Sequence, residues 1–220
     1  MCPLFRYALG LCLLLSACHT DDSVEASLPA EAGGFSGTLP GDLSLNPASV
    51  VSTNGVVTSA NSVDGSFVSH LLDVRDTTTN ISISLELPYV QYSEAFIRAD
   101  SADVARAVAE YYSYEVVKDK LSVGEKQILA PPAHDITSSF AVHVTDSRRY
   151  FSFITFGVEQ PDSYLRVREL TEGVETDSTG AEVRTLEVVI DLSVKVSREA
   201  DASQPERLEG TLRMKYRERG

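Results

Sequence analysis

Leu186-Glu187-Val188-Val189-Ile190-Asp191-Leu192-Ser193-Val194-Lys195-Val196 is the stretch whose reading decides the fold. Leu186, Val188, Ile190, Leu192, Val194 and Val196 recur at every second position, set against Glu187, Asp191, Ser193 and Lys195. Side chains of a strand alternate between its two faces, so this period of two describes a long strand with one face in an apolar core and one in water. A parallel sheet is covered by helices on both faces and its strands read as unbroken apolar runs, so the alternation selects an antiparallel sheet.

The pattern recurs outward in both directions. Downstream, Leu208, Gly210, Leu212, Met214 and Tyr216 oppose Arg207, Glu209, Thr211, Arg213, Lys215 and Arg217. Upstream, Ser139 to Thr145, Tyr150 to Phe156 and Tyr164 to Leu170 read as strands, the first two joined by Asp146-Ser147-Arg148-Arg149, short enough for a hairpin. Phe67 to Arg75 and Asn80 to Leu87 flank Asp76-Thr77-Thr78-Thr79 in the same way. Asn54-Gly55, at the centre of Val50 to Thr58, predicts a tight turn between two short β-branched runs. The period changes at 101 to about 113, where Val104, Ala105, Val108, Ala109, Tyr111 and Tyr112 follow helical spacing behind Asp100 or Ser101 as a cap. Tyr111, Tyr112 and Tyr114 are expected to pack on the sheet. The expected fold is mainly β, an antiparallel β-sandwich or open barrel with one short helix, occupying residues 48–220.

Residues 18–47 are poor in large apolar side chains and rich in Ala, Gly, Ser, Pro and acid, which predicts a flexible acidic tether. Residues 1–17 hold one cation, Arg6, and an apolar run from Tyr7 to Leu15 that is too short to span a bilayer, the layout of a secretory signal. Leu15-Ser16-Ala17-Cys18 resembles the lipobox of bacterial lipoproteins. That resemblance implies cleavage before Cys18, a diacylglyceryl thioether on its sulfur, an acylated new amino end and a membrane held as partner through the lipid. Two or more acyl chains make such an anchor stable.

Cys18-His19-Thr20-Asp21-Asp22 is similar to the acidic signal that sends some Bacteroidetes lipoproteins to the outer face of the outer membrane. His19 is not the Asp that marks inner-membrane retention in enterobacterial lipoproteins. The implied address is the outer membrane, with surface exposure. The succession from Ser139 to Gly220 is similar to small Bacteroidetes β-sandwich lipoproteins of uncharacterised function, which implies a fold and no site.

The formal net charge is −13, and processing before Cys18 removes only Arg6 from the charge count. Such an acidic chain lacks the clustered cations that phosphate neutralisation requires, which excludes nucleic acid as a partner. It also disfavours contact with anionic headgroups, so the tether is expected to stand off the membrane. Cys2, Cys12 and Cys18 are the only cysteines, so the processed chain has neither a disulfide nor a thiolate metal site. No cofactor is implied.

Three histidines lie in the predicted folded region. His70 shares a face with Val68, Leu72 and Val74 and is expected as a hydrogen-bonded core residue, whereas His143 is expected to face solvent. His134-Asp135, after Pro131-Pro132-Ala133, could orient an imidazole as a base, and an envelope hydrolase built on His134 and loop carboxylates is the alternative reading. Gly33-Gly34-Phe35-Ser36-Gly37 lacks the glycine two residues after its serine that a nucleophile elbow requires. No phosphate loop and no His-Glu-x-x-His motif occurs, so neither catalytic nor metal residues are named. The loop Thr171 to Val183 carries Glu172, Glu175, Asp177 and Glu182, oxygen-rich enough for a weak Ca²⁺ site, but their spacing fits no known Ca²⁺ loop and favours a plain solvated turn.

Arg166, Arg168, Arg213, Lys215 and Arg217 fall on outward positions of C-terminal strands. If those strands are neighbours they form a basic stripe suited to an anionic glycan or an acidic envelope protein. The competing reading is cross-strand pairing with Glu187, Asp191 and Glu209. The functional expectation is a non-catalytic binding or interaction module on a lipid anchor.

Overall fold

A computed structural model of the chain describes residues 33–61, 65–92, 112–130, 135–155, 157–198 and 201–218. Its strands are β1 (Gly34–Thr38), β2 (Val50–Asn61), β3 (Gly65–Asp76), β4 (Ile81–Glu86), β5 (Val90–Tyr92), β6 (Gly124–Glu125), β7 (Ala141–Asp146), β8 (Phe151–Ile154), β9 (Tyr164–Thr176), β10 (Glu182–Arg198) and β11 (Asp201–Arg217), and the helix α1 (Tyr114–Lys120) lies between β5 and β6. The fold is mainly β, as the alternation requires. One antiparallel sheet runs β1-β11-β10-β8-β7-β4-β3-β2, with β9 branching from β10. Cys18, His134 and residues 101–111 of the helix expected at 101 to about 113 lie outside the described residues; Tyr112 and Ser113, which are described, are not helical and precede α1.

The alternating stretch becomes β10, and all six of its inward apolar residues are fully buried. Burying each contributes about 1.5–3 kcal/mol relative to exposure, which makes this strand a major source of core stability. One edge of β10 pairs with β11, while the other is shared by β9 along Glu182 to Ser193 and by β8 at Ser197 and Arg198. Between those partners the backbone of Lys195 would be left without a ladder. The side-chain amide of Gln160 fills the gap, accepting from Lys195 N–H at 2.9 Å and donating to Lys195 C=O at 2.7 Å.

The two ends of the sheet meet without closing into a barrel. Lys215 N–H donates to Ser52 Oγ at 2.8 Å, and Asn54 accepts from Arg217 N–H and donates to Arg217 C=O, both at 3.1 Å. This seam of side chains overturns the turn expected at Asn54-Gly55. β2 runs straight through both residues, paired with Leu72 and Leu71 of β3. The amide that would nucleate a local turn is engaged by a strand far away in sequence.

Part of the stretch expected as a flexible tether, 18–47, is folded. Gly34–Thr38 is a strand paired with β11, and Leu39 is buried in the core. The glycines that suggested a flexible segment serve packing instead. Gly37 and Gly210 face each other at φ +153 and +155, and a Cβ on either would lie 2.1 or 2.2 Å from a carbonyl oxygen of the opposite strand.

α1 is short and amphipathic. Tyr114, Val117 and Leu121 at its C-cap are buried, while Glu115 in its first turn and Lys118 and Lys120 in its last complement the helix dipole. Of the tyrosines expected to pack, Tyr112 and Tyr114 are in the core, and Tyr111 lies outside the described residues. His70 is a core residue as expected, 3.3 Å from Tyr112 C=O and edge-on to the rings of Tyr112 and Tyr216.

Candidate functional site

The strand pairing assembles a polar row that no local pattern reveals. Glu125 of β6 lies beside Arg166 of β9, Arg166 beside Asp191 of β10, Asp191 beside Thr211 of β11, and Thr211 beside Ser36 of β1. A register shift opposite Val189 and Ile190 leaves Arg168 as the extra residue of β9, so that Arg168 and Glu169 are both exposed. Bulges of this kind re-aim side chains at the surface of a sheet. Gly210, with no side chain, deepens the surface beside Thr211, and Tyr164 stands half-exposed at the edge. Together with Glu209 these residues enclose an open groove of about 540 Å³.

Within the groove Asp191 is committed, accepting from Thr211 Oγ1 at 2.8 Å and from Arg168 Nη1 at 3.3 Å. Arg168 also donates to Glu169 at 3.1 Å. Arg166 makes no hydrogen bond or ion pair among the described residues, so its five N–H donors are available to a ligand. A planar guanidinium beside a phenol ring, with carboxylates and a hydroxyl nearby, can bind a carboxylate through the Arg fork and satisfy hydroxyl groups with the remainder.

The five cations do not form one stripe, because β9 and β11 are not neighbours and β10 separates them. Arg166 and Arg168 line the groove, and Arg213 lies along β11 opposite Val189 and Gly34. Lys215 is nearly buried between Glu175 and Glu187, and Arg217 Nε lies 3.0 Å from Glu175. The bonds from Lys215 and then Arg217 hold the Glu175 carboxyl below the usual carboxylate range.

The acids of the loop expected at 171–183 are likewise dispersed. β9 extends to Thr176 and β10 starts at Glu182, so only 177–181 is loop. Asp177 caps that turn, accepting from Thr179 N–H at 2.8 Å and Ala181 N–H at 3.0 Å. Glu172 pairs with Lys118 at 2.6 Å and accepts from Tyr114 Oη at 3.3 Å. Burial first, then Glu172, pushes the Tyr114 hydroxyl up to about 12. Arg184 stacks on the Tyr114 ring at 4.0 Å while donating twice to Glu218 at 2.7 Å, which fastens α1 to the sheet.

A further polar cluster lies on the outward face of β3, β4 and β7. The strand neighbour of His143 is Ser84, whose own neighbour on the far side is Asp73. Its Nε2 lies 3.2 Å from Glu86, which also accepts from Tyr89 Oη. Burial raises the Asp73 carboxyl above its ordinary value. Burial pushes Glu86 the same way, but the bonds from His143 and Tyr89 outweigh it and hold that carboxyl low. These groups satisfy one another, and none lines the Arg166 groove. His143 is therefore half-exposed and paired rather than free in solvent.

Comparison of the chain with protein-family models, with curated proteins and with solved structures returned no match. The class defined by fold and site is an antiparallel, sandwich-like β domain with a polar groove on the outer surface of its sheet. Tyr164, Asp191, Thr211 and Gly210 of that groove were not named from sequence as site residues. Their common signal, the register across β6, β9, β10 and β11, exists only once the strands are paired.

Proposed function

We propose that this chain is a lipoprotein held at the outer membrane through Cys18, facing the cell exterior, whose β domain is a non-catalytic module binding an acidic glycan. The observation that supports this most directly is the uncommitted guanidinium of Arg166 beside half-exposed Tyr164 in an open groove. A sugar ring lies well on an aromatic face, and its carboxylate meets the Arg fork. The groove's own carboxylates, Glu125 and Glu209, favour a sparsely charged chain over a dense polyanion.

Titrating the full chain with a panel of acidic and neutral oligosaccharides tests the groove. An acidic member is expected to bind, and Arg166→Gln is expected to weaken it by about 10–100-fold, since a charge-assisted hydrogen bond contributes about 1.5–3 kcal/mol. Undiminished binding by the variant overturns the site. Mass spectrometry of the mature amino end tests the anchor: a diacylglyceryl adduct on Cys18 is expected, and an unmodified thiol overturns it.

A further inference from the structure

Two hairpins lie side by side on one rim. Residues 76–80 join β3 to β4 and residues 146–150 join β7 to β8, with Ile81 paired to Asp146 and Arg148 donating to Thr78 C=O. Each loop begins with a buried Asp that accepts the N–H groups two and three residues on: Thr78 and Thr79 for Asp76, Arg148 and Arg149 for Asp146. Each ends with a residue in the left-handed region, Asn80 at φ 60 and Tyr150 at φ 55. Asn visits that region readily, whereas a bulky aromatic there is strained. Tyr150 is also 94 % exposed, so no burial offsets the strain. Folding gains nothing from this side chain.

The surroundings of Tyr150 show what would gain from it. Arg148 and Arg149 precede it in the loop, and Arg75 reaches the neighbouring loop, donating to Asn80 at 3.2 Å. The carboxylates closest in the loops, Asp76 and Asp146, are buried and occupied by loop donors, with Arg149 keeping one 3.5 Å contact to Asp146. The tip lines neither the Arg166 groove nor the groove between α1 and β9, and its aromatic ring stands free of the protein surface. A convex tip of one amphipathic ring and adjacent guanidinium forks fits a soft, phosphate-bearing plane.

We propose that residues 148–150 form a finger that inserts Tyr150 into the headgroup layer of an anionic phospholipid surface, with Arg148 and Arg149 on its phosphates. The inference rests on the lipid anchor proposed above. From Cys18 to Gly33 the chain can span at most about 50 Å, which keeps the body within reach of the membrane that holds it. The net negative charge of the body does not forbid the contact. At physiological salt, charges farther than about 8 Å from the surface are largely screened, so the tip's own cations decide the encounter.

The chain contains no Trp, so Tyr150→Trp supplies a single reporter. The full acylated chain carrying it is reconstituted into vesicles of phosphatidylcholine, with and without phosphatidylglycerol, and headgroup-labelled quencher lipid. Blue-shifted, quenched emission is expected only with phosphatidylglycerol, falling about fivefold for each of Arg148→Gln and Arg149→Gln. The same reporter placed at exposed Val174 should stay unquenched. A chain that floats with the vesicles while the reporter at 150 stays unquenched overturns the finger and spares the anchor, and a chain that does not float overturns both. A reporter silent on pure phospholipid but shifted on native envelope vesicles marks an occupant other than phospholipid and overturns the lipid assignment.

Discussion

The hairpins 76–80 and 146–150 follow one turn grammar and put it to different uses. In the first, Asp76 serves more than its own loop. Besides Thr78 and Thr79 it accepts from Asn46 N–H at 2.7 Å and Ser49 Oγ at 2.6 Å, which ties the 3-10 turn Pro47–Ser49 and the start of β2 to β3. In the second, the two backbone donors to Asp146 both come from its own loop. The residue in the left-handed position follows the same division, a conformationally tolerant Asn where the loop is structural and an exposed, strained Tyr where it is not. A side chain retained against its backbone preference, with nothing packed on it, marks a surface shaped by something other than folding.

The sharpest way to break this comparison is to remove each carboxylate. Asp76→Ala strands several donors in a buried site and is expected to lower stability by about 2–4 kcal/mol in a denaturant titration. Asp146→Ala, losing a local cap, should cost about 1 kcal/mol. Equal losses would mean that the two loops are equivalent after all.

Acid tests the first loop next. Burial alone would raise the Asp76 carboxyl, but the bonds from Ser49, Asn46, Thr78 and Thr79 prevail and hold it far below its ordinary value. The unfolded chain therefore takes up a proton there before the folded one does. The stabilisation is complete above about pH 4 and declines as pH falls below it. Thermal melts between pH 7 and pH 2.5 should show a shallower acid limb for Asp76→Asn than for the parent, and an unchanged limb would remove Asp76 as its source.

The smallest effect comes from exchanging the left-handed residues. Tyr150→Asn should stabilise the domain by up to about 1 kcal/mol, and Asn80→Tyr should destabilise it by a similar amount. A loss of stability on Tyr150→Asn would show that the ring supports the fold.

Legibility in the sequence followed the range of the interaction that decides each element. β4, β10 and β11 were readable because period-two alternation is a local property that burial enforces on every residue. Asn54-Gly55 and Gly34–Thr38 were misread because local turn and flexibility preferences yielded to β11, which lies far along the chain. α1 escaped because Val116 and Val117 dilute a helix of only seven residues. For the groove, the outward direction of Arg166 and Arg168 was readable. The commitment of Lys215 and Arg217 to Glu175, and the availability of Arg166, required the register.

The seam also has a mechanical meaning. If the chain is held at Cys18, hydrodynamic drag on the body is transmitted through Gly34 into β1, a strand of five residues clamped on β11. Beyond that clamp, β2 and β11 are stitched by the side chains of Ser52 and Asn54. Under that load the five-residue β1–β11 ladder would bear the force ahead of the long β10–β11 ladder.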